Sequence, residues 1–209
     1  GLHDTNNIAR LQYYTMNLYR ELEQETGQSV GFHQTGYLYL AQTNERAHQL
    51  RISAAKARQF QGVEFHEISL KEAAEKHPFV NFDGIQMAVW ESESGYVDVN
   101  GVTHAYAQAA RNRGVTIERF CPVLETNQRA DGGWDVVTEK GTIQTRVLVN
   151  AAGLWGREVA KLAGVELPLM PMEHQYFVTE EVPEVAALDF ELPSVADRDG
   201  EYYLRQEGN

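Results

Sequence analysis

The run Val147-Leu148-Val149 is apolar without interruption and leads into Asn150-Ala151-Ala152-Gly153-Leu154-Trp155-Gly156, then a helical stretch from Arg157 to Ala163 closed by Gly164. A strand of that composition is expected to be covered on both faces. The small residues after it let backbone amides approach a phosphate, whose charge the following helix N-terminus favours. The spacing is close to a dinucleotide turn, with alanine in the first glycine position and Glu173 about twenty residues beyond Gly153. Glu173, however, follows a loop with two prolines where that turn wants a parallel strand. The same small residues equally suit close packing of a strand on a helix, so both readings stand.

A covered strand needs chain to cover it, and 209 residues with 43% apolar content supply an ordinary domain or a compact pair. Ile8, Leu11, Leu18 and Leu22 share a helical stripe that stops at Gly27. Tyr37-Leu38-Tyr39-Leu40 is a short aromatic-rich strand. A helix from Asn44 to Gln61 presents Ala47, Leu50, Ala54 and Ala57 on one face and ends at Gly62. Val63 to Ile68 alternates as a half-exposed strand, and Ser69 with Glu72 has the spacing of a capping box. Gly84 to Trp90 makes another strand. Asn100 or Asp98 then caps a helix carrying Val102, Ala105, Tyr106 and Ala109 on one face, with a strand from Val115 to Phe120 after it. Asp131-Gly132-Gly133 and Lys140-Gly141 are turn chemistry, so Val123 to Gln128, Trp134 to Glu139 and Thr142 to Thr145 form an antiparallel meander. Met172 to Thr179 and Tyr202 to Glu207 are strand-like, separated by an acidic, Pro-containing loop from Glu180 to Gly200. The expected class is α/β with an α+β insertion.

Thirty acidic residues against eighteen basic ones leave a net charge of -12, which repels a phosphate backbone and argues against nucleic acid as a partner. No apolar run approaches the roughly 18–20 residues that span a bilayer, so no membrane partner is expected. Gly1-Leu2-His3-Asp4 has neither basic flank nor apolar stretch, and a cytoplasmic location is the expectation. The single cysteine, Cys121, suits a reducing compartment and excludes an internal disulfide. The histidines lack metal-ligand spacing, so no metal is assigned. Two constellations are left. His174 and Tyr176 lie on one face of an alternating strand, and Tyr202, Tyr203 and Arg205 supply aromatic surface with one fixed positive charge. Each also has a structural reading, as a hydrogen-bonded strand histidine and as ordinary sheet packing with Arg205 in solvent.

The stretch from Val147 to Trp155 resembles the FAD-dependent oxidoreductases of the D-amino-acid oxidase superfamily. Pro168 to Thr179, with Tyr202-Tyr203-Leu204-Arg205-Gln206-Glu207, is similar to the dimethylglycine and sarcosine dehydrogenase branch, as are Leu22 to Gly36 and Gly95-Tyr96-Val97-Asp98. Members of that family begin with a Gly-x-Gly-x-x-Gly turn and a flavin-linking histidine, neither of which occurs here. The resemblance therefore implies an internal fragment, whose partner is the remainder of the parent chain. It implies a partial FAD-binding domain, three-layered with a mixed sheet, from residues 1–29 and 95–164. Residues 30–94 and 165–209 would form an antiparallel-sheet substrate domain.

The same resemblance implies that Val123, Ala151, Ala152, Gly153 and Trp155 line the FAD. His174 and Tyr203 would act on substrate, with Tyr202 the alternative to Tyr203, and Arg205 would hold a substrate carboxylate. The implied reaction is oxidation of the N-methyl group of a small amino acid, dimethylglycine or sarcosine, by hydride transfer to flavin. Hydrolysis of the resulting iminium would release formaldehyde. The competing readings are a non-catalytic binding module without cofactor, and a nicotinamide-dependent dehydrogenase that would need a parallel strand after the helix at Arg157.

Overall fold

Tyr37 to Ala41 carries large apolar side chains on both alternating faces, the pattern of a strand with a layer on each side. In the computed structural model, which describes residues 5–61 and 63–208, it is the central strand of a five-stranded sheet. Gly62, the expected helix end, and Gly1 to Asp4, His3 included, lie outside the described residues. The architecture is α/β. By packing, the chain divides into two units, Gly1–Val115 with Val178–Asn209, and Thr116–Phe177.

In the first unit, β1 (Tyr37–Ala41) pairs antiparallel with β3 (Met87–Glu91) and parallel with β7 (Ser194–Asp197). The edges are β2 (His66–Ile68) and β8 (Tyr202–Leu204), giving the order β2-β3-β1-β7-β8. Tyr39 and Ala41 face α2 (Asn44–Gln61), where Ala47, Leu50 and Ala57 are buried against them with Met87 and Val89. Leu38 and Leu40 face the opposite side, packed with Ala88, Val195 and Ala73 of α3 (Leu70–Lys76). Each buried leucine contributes about 2 kcal/mol of transfer free energy. The expected capping box forms at α3, with the Glu72 amide donating to Ser69 Oγ at 3.2 Å and the Ser69 amide to Glu72 Oε2 at 2.9 Å.

A third cluster joins α1 (Asn6–Thr26) to α4 (Val99–Asn112) through Leu22, Val30, Val102, Ala105 and Ala109. Gly27 ends α1 in the left-handed region at φ 68°, and Asp98 caps α4 by accepting the Asn100 amide at 2.9 Å. The α1 stripe is covered only in part. Leu22 is buried, but Ile8 and Leu11 are exposed, since the cluster with α4 reaches the helix near its C-terminal end. One buried strand was invisible in the sequence: β7 lies inside the stretch read as an acidic loop.

The second unit holds the expected meander, β4 (Val123–Gln128), β5 (Trp134–Thr138) and β6 (Gly141–Thr145), followed by α5 (Gly156–Leu162). Gly132 and Gly141 take positive φ in its two turns. Three expected strands do not form. Val115 to Phe120 is irregular and ends with Phe120 at φ 53°. Val147 to Val149 has no ladder partner, and its two valines are 71% and 77% exposed rather than covered. Met172 to Thr179 runs without a ladder, with Tyr176 and Phe177 exposed. A strand persists through hydrogen bonds to a neighbour, and none of these segments pairs in a ladder with a described strand. No helix among the described residues is long and apolar enough to cross a membrane.

Candidate functional site

Asn150 organises the turn of small residues in the second unit. Its Nδ2 donates to the Gly156 carbonyl at 2.7 Å, and its Oδ1 accepts the Ala152 amide at 3.1 Å. The Trp155 amide donates to the Ala152 carbonyl at 3.0 Å, closing a 3-10 turn over Gly153–Trp155. Gly153 sits at φ 54°, and a Cβ built there would meet no atom within 4 Å. Backbone from Ala151 to Gly153 therefore forms an open shelf. Trp155 stands exposed beside it, and Val123 is half-exposed at the start of β4 in the same unit. His174 also belongs to this unit, exposed on the segment that lacks a ladder, so strand alternation does not set it on one face with Tyr176. The segment after α5, residues 165–177, contains no strand, which removes the parallel strand that the nicotinamide reading needs.

Tyr202, Tyr203 and Arg205 lie in the first unit. The β7–β8 register pairs Ala196 with Tyr203 and Asp197 with Tyr202, so the two tyrosines point to opposite faces of the sheet. Tyr203 shares its face with Ala196, which packs in the cluster of Tyr39 and α2. Tyr202 shares the face of the fully buried Asp197.

Arg205 is exposed, as the packing reading expects, but it is not without partners. Its guanidinium lies over the Tyr96 ring, 4.8 Å from the centroid, and pairs with Glu207. Tyr96 in turn stacks on His33 with ring centroids 4.9 Å apart and planes 4° from parallel. The two residues form a backbone bridge, His33 amide to Tyr96 carbonyl at 2.9 Å and Tyr96 amide to His33 carbonyl at 3.0 Å. Gly95 makes that approach feasible, because a Cβ there would lie 1.9 Å from the His33 carbonyl oxygen. Glu191 closes the group: its Oε2 is 3.0 Å from His33 Nδ1, and its Oε1 accepts the Tyr96 hydroxyl.

The electrostatics follow from those contacts. Burial and then the hydrogen bond to Glu191 push the Tyr96 phenol well above its ordinary range, so it stays a donor. Burial alone would raise the Glu191 carboxyl, but the bonds from Tyr96 and His33 outweigh it and hold the group below its ordinary value. His33, Tyr96 and Glu191 were not singled out as site residues in the sequence. Tyr96 lay in a family-like stretch, while its partner Glu191 lies 95 residues away and only the fold joins them.

An α/β chain with an open turn of small residues after a meander, and a sheet carrying paired aromatics and an arginine, has the parts of a flavoenzyme. The whole chain, residues 1–209, matches the DAO family of FAD dependent oxidoreductases, and the protein belongs to that family. It is 40% identical over 98% of its length to dimethylglycine dehydrogenase, mitochondrial, of Rattus norvegicus, spanning 24% of that protein. It is 34% identical over 91% of its length to sarcosine dehydrogenase, mitochondrial, of Homo sapiens, spanning 21% of it. The chain thus spans about a quarter of the length of the curated relatives it matches. The structure resembles that of L-proline dehydrogenase from P. horikoshii with a TM-score of 0.72 and 25% identity, over 78% of this chain and 43% of that one. The family's cofactor is FAD, and the open shelf at Ala151 to Gly153 with exposed Trp155 fits a flat dinucleotide lying close to backbone.

Proposed function

We propose that this chain is the middle of a flavin-dependent amine oxidoreductase that oxidises the N-methyl group of a small amino acid of the dimethylglycine or sarcosine type. The observation that carries the reading is the 40% identity to a dimethylglycine dehydrogenase across nearly the whole chain. On this reading residues 1–29 and 95–164 serve the flavin side, and residues 30–94 and 165–209 the substrate side. Val123, Ala151, Ala152, Gly153 and Trp155 would hold FAD. The flavin, when bound, supplies the acceptor for a hydride leaving the N-methyl carbon.

The chain's own residues prepare the substrate. Arg205 pairs with its carboxylate, exchanging the exposed partner Glu207, an exchange opposed by no more than about 1 kcal/mol for a surface pair. The His174 imidazole takes the amine proton, freeing the lone pair that must form the carbon–nitrogen double bond as hydride departs. A phenol, that of Tyr203 or of its strand neighbour Tyr202, steadies the cation that develops. Water then adds to the iminium, and formaldehyde leaves with the demethylated amine. The lone Cys121 suits a reducing compartment, either the expected cytoplasm or the mitochondrion named for the mammalian relatives.

The test is His174→Ala in the full-length, flavin-loaded protein. Substrate-dependent bleaching of the flavin absorbance should slow by about 100-fold or more while flavin content stays normal. Bleaching at the parent rate removes His174 from the chemistry. A full-length protein that is colourless and takes up no added FAD would favour the non-catalytic binding module instead.

A further inference from the structure

We infer that Tyr96, braced by His33 and Glu191, is the positioning residue that presents Arg205 to the substrate carboxylate. The inference rests on the proposed amino-acid substrate and goes beyond it, because it assigns binding geometry to residues that do not touch the reacting atoms.

An arginine next to a strand end has several rotamers, and carboxylate recognition needs its planar fork held in one of them. Tyr96 supplies the plane against which the guanidinium rests, at 4.8 Å from the ring centroid. The ring itself is constrained in three ways. Its backbone is bridged to His33 in both directions, its face is stacked on the His33 imidazole, and its hydroxyl is bound to Glu191. Glu191 is in turn held by His33 Nδ1 at 3.0 Å. The neighbouring Leu192 amide donates to Gln206 Oε1 at 2.9 Å, tying the residue after Glu191 to the residue after Arg205. Gly95 is required before Tyr96 because any side chain there would collide with the His33 carbonyl. All of these groups belong to the first unit. Substituting the ring therefore frees the guanidinium while its charge stays in place.

Steady-state kinetics on the full-length, flavin-loaded enzyme test this with dimethylglycine and its primary amide, which keeps the amine and lacks the carboxylate charge. Tyr96→Leu should raise KM for dimethylglycine about three- to tenfold, with kcat within about twofold and KM for the amide unchanged. Tyr96→Phe, which keeps the ring, should recover most of that loss. Glu191→Gln gives a second reading if the leucine variant folds poorly. It should raise KM for dimethylglycine by about two- to threefold at normal flavin content. Equal effects of Tyr96→Leu on acid and amide, or none on the acid while Arg205→Ala raises its KM, overturn the positioning role and leave the substrate reading intact. If Arg205→Ala itself leaves KM for dimethylglycine unchanged, the carboxylate reading fails, and the role of Tyr96 with it.

Discussion

Asp199 shows how single side chains tie the first unit together. Its carboxylate accepts the amides of Gln42 at 2.9 Å and Thr43 at 3.2 Å, and pairs with Arg46 Nε at 3.1 Å, linking the turn after β7 to the start of α2. Burial would raise its pKa, but these bonds outweigh it and hold the group below the ordinary carboxyl value of 3.8. A folded-state pKa depressed in this way gives stability that is fully present above the unfolded value and is lost as pH falls through the folded one. Glu191 acts in the same direction. Asp199→Asn should therefore lower stability near neutrality and flatten its decline on the acid side, which urea denaturation between about pH 6 and pH 3 measures. A mutant whose acid limb parallels the parent's would show that Asp199 carries no such linkage. The Ser69–Glu72 pair was legible from four residues of sequence because both partners lie within one helical turn. The Tyr96–Glu191 and Gln42–Asp199 contacts were not, because their partners are 95 and 157 residues apart.

Elements formed where the local signal agreed with a neighbour able to cover it. The small-residue face of α2 found the Tyr39 side of the sheet, and the glycine turns of the second unit closed the meander as read. Three strand readings failed for one reason. Apolar composition at Val147 to Val149 and Met172 to Thr179 specifies what a strand would bury, whereas a ladder needs a second strand in register. The opposite error occurred at β7, whose four residues carry too little pattern to show in sequence yet are buried at Ser194, Val195 and Asp197. At α3, only seven residues long, capping weighs heavily against the cost of nucleation. Ser69→Ala should destabilise the first unit by about 1 kcal/mol, seen as a lower midpoint in thermal unfolding, and an unshifted midpoint would mean that tertiary packing alone holds the helix.

At the scale of the molecule, the first unit is discontinuous. Its central strand is completed by chain that returns after the whole second unit, through the parallel pairing of Tyr37 with Ser194 and Leu40 with Asp197. Ending the chain at Phe177 would strip β7 and β8 and uncover Leu38 and Leu40, which lie at 0% and 1% exposure. Such a truncation should lose the cooperative unfolding transition of the first unit while the local meander keeps its β signal in circular dichroism. A transition at the parent temperature would show that β1 needs no partner from residues 178–209. The sequence by itself determined the class, the longer helices, the Ser69–Glu72 capping box, the glycine turns and the family, because each of these is written in residues close together along the chain. Tertiary structure alone decided which apolar runs became strands, which face each adjacent tyrosine took, and that His33, Tyr96, Glu191 and Arg205 meet. Those outcomes depend on pairing between distant segments, whose closure entropy and register no local pattern encodes.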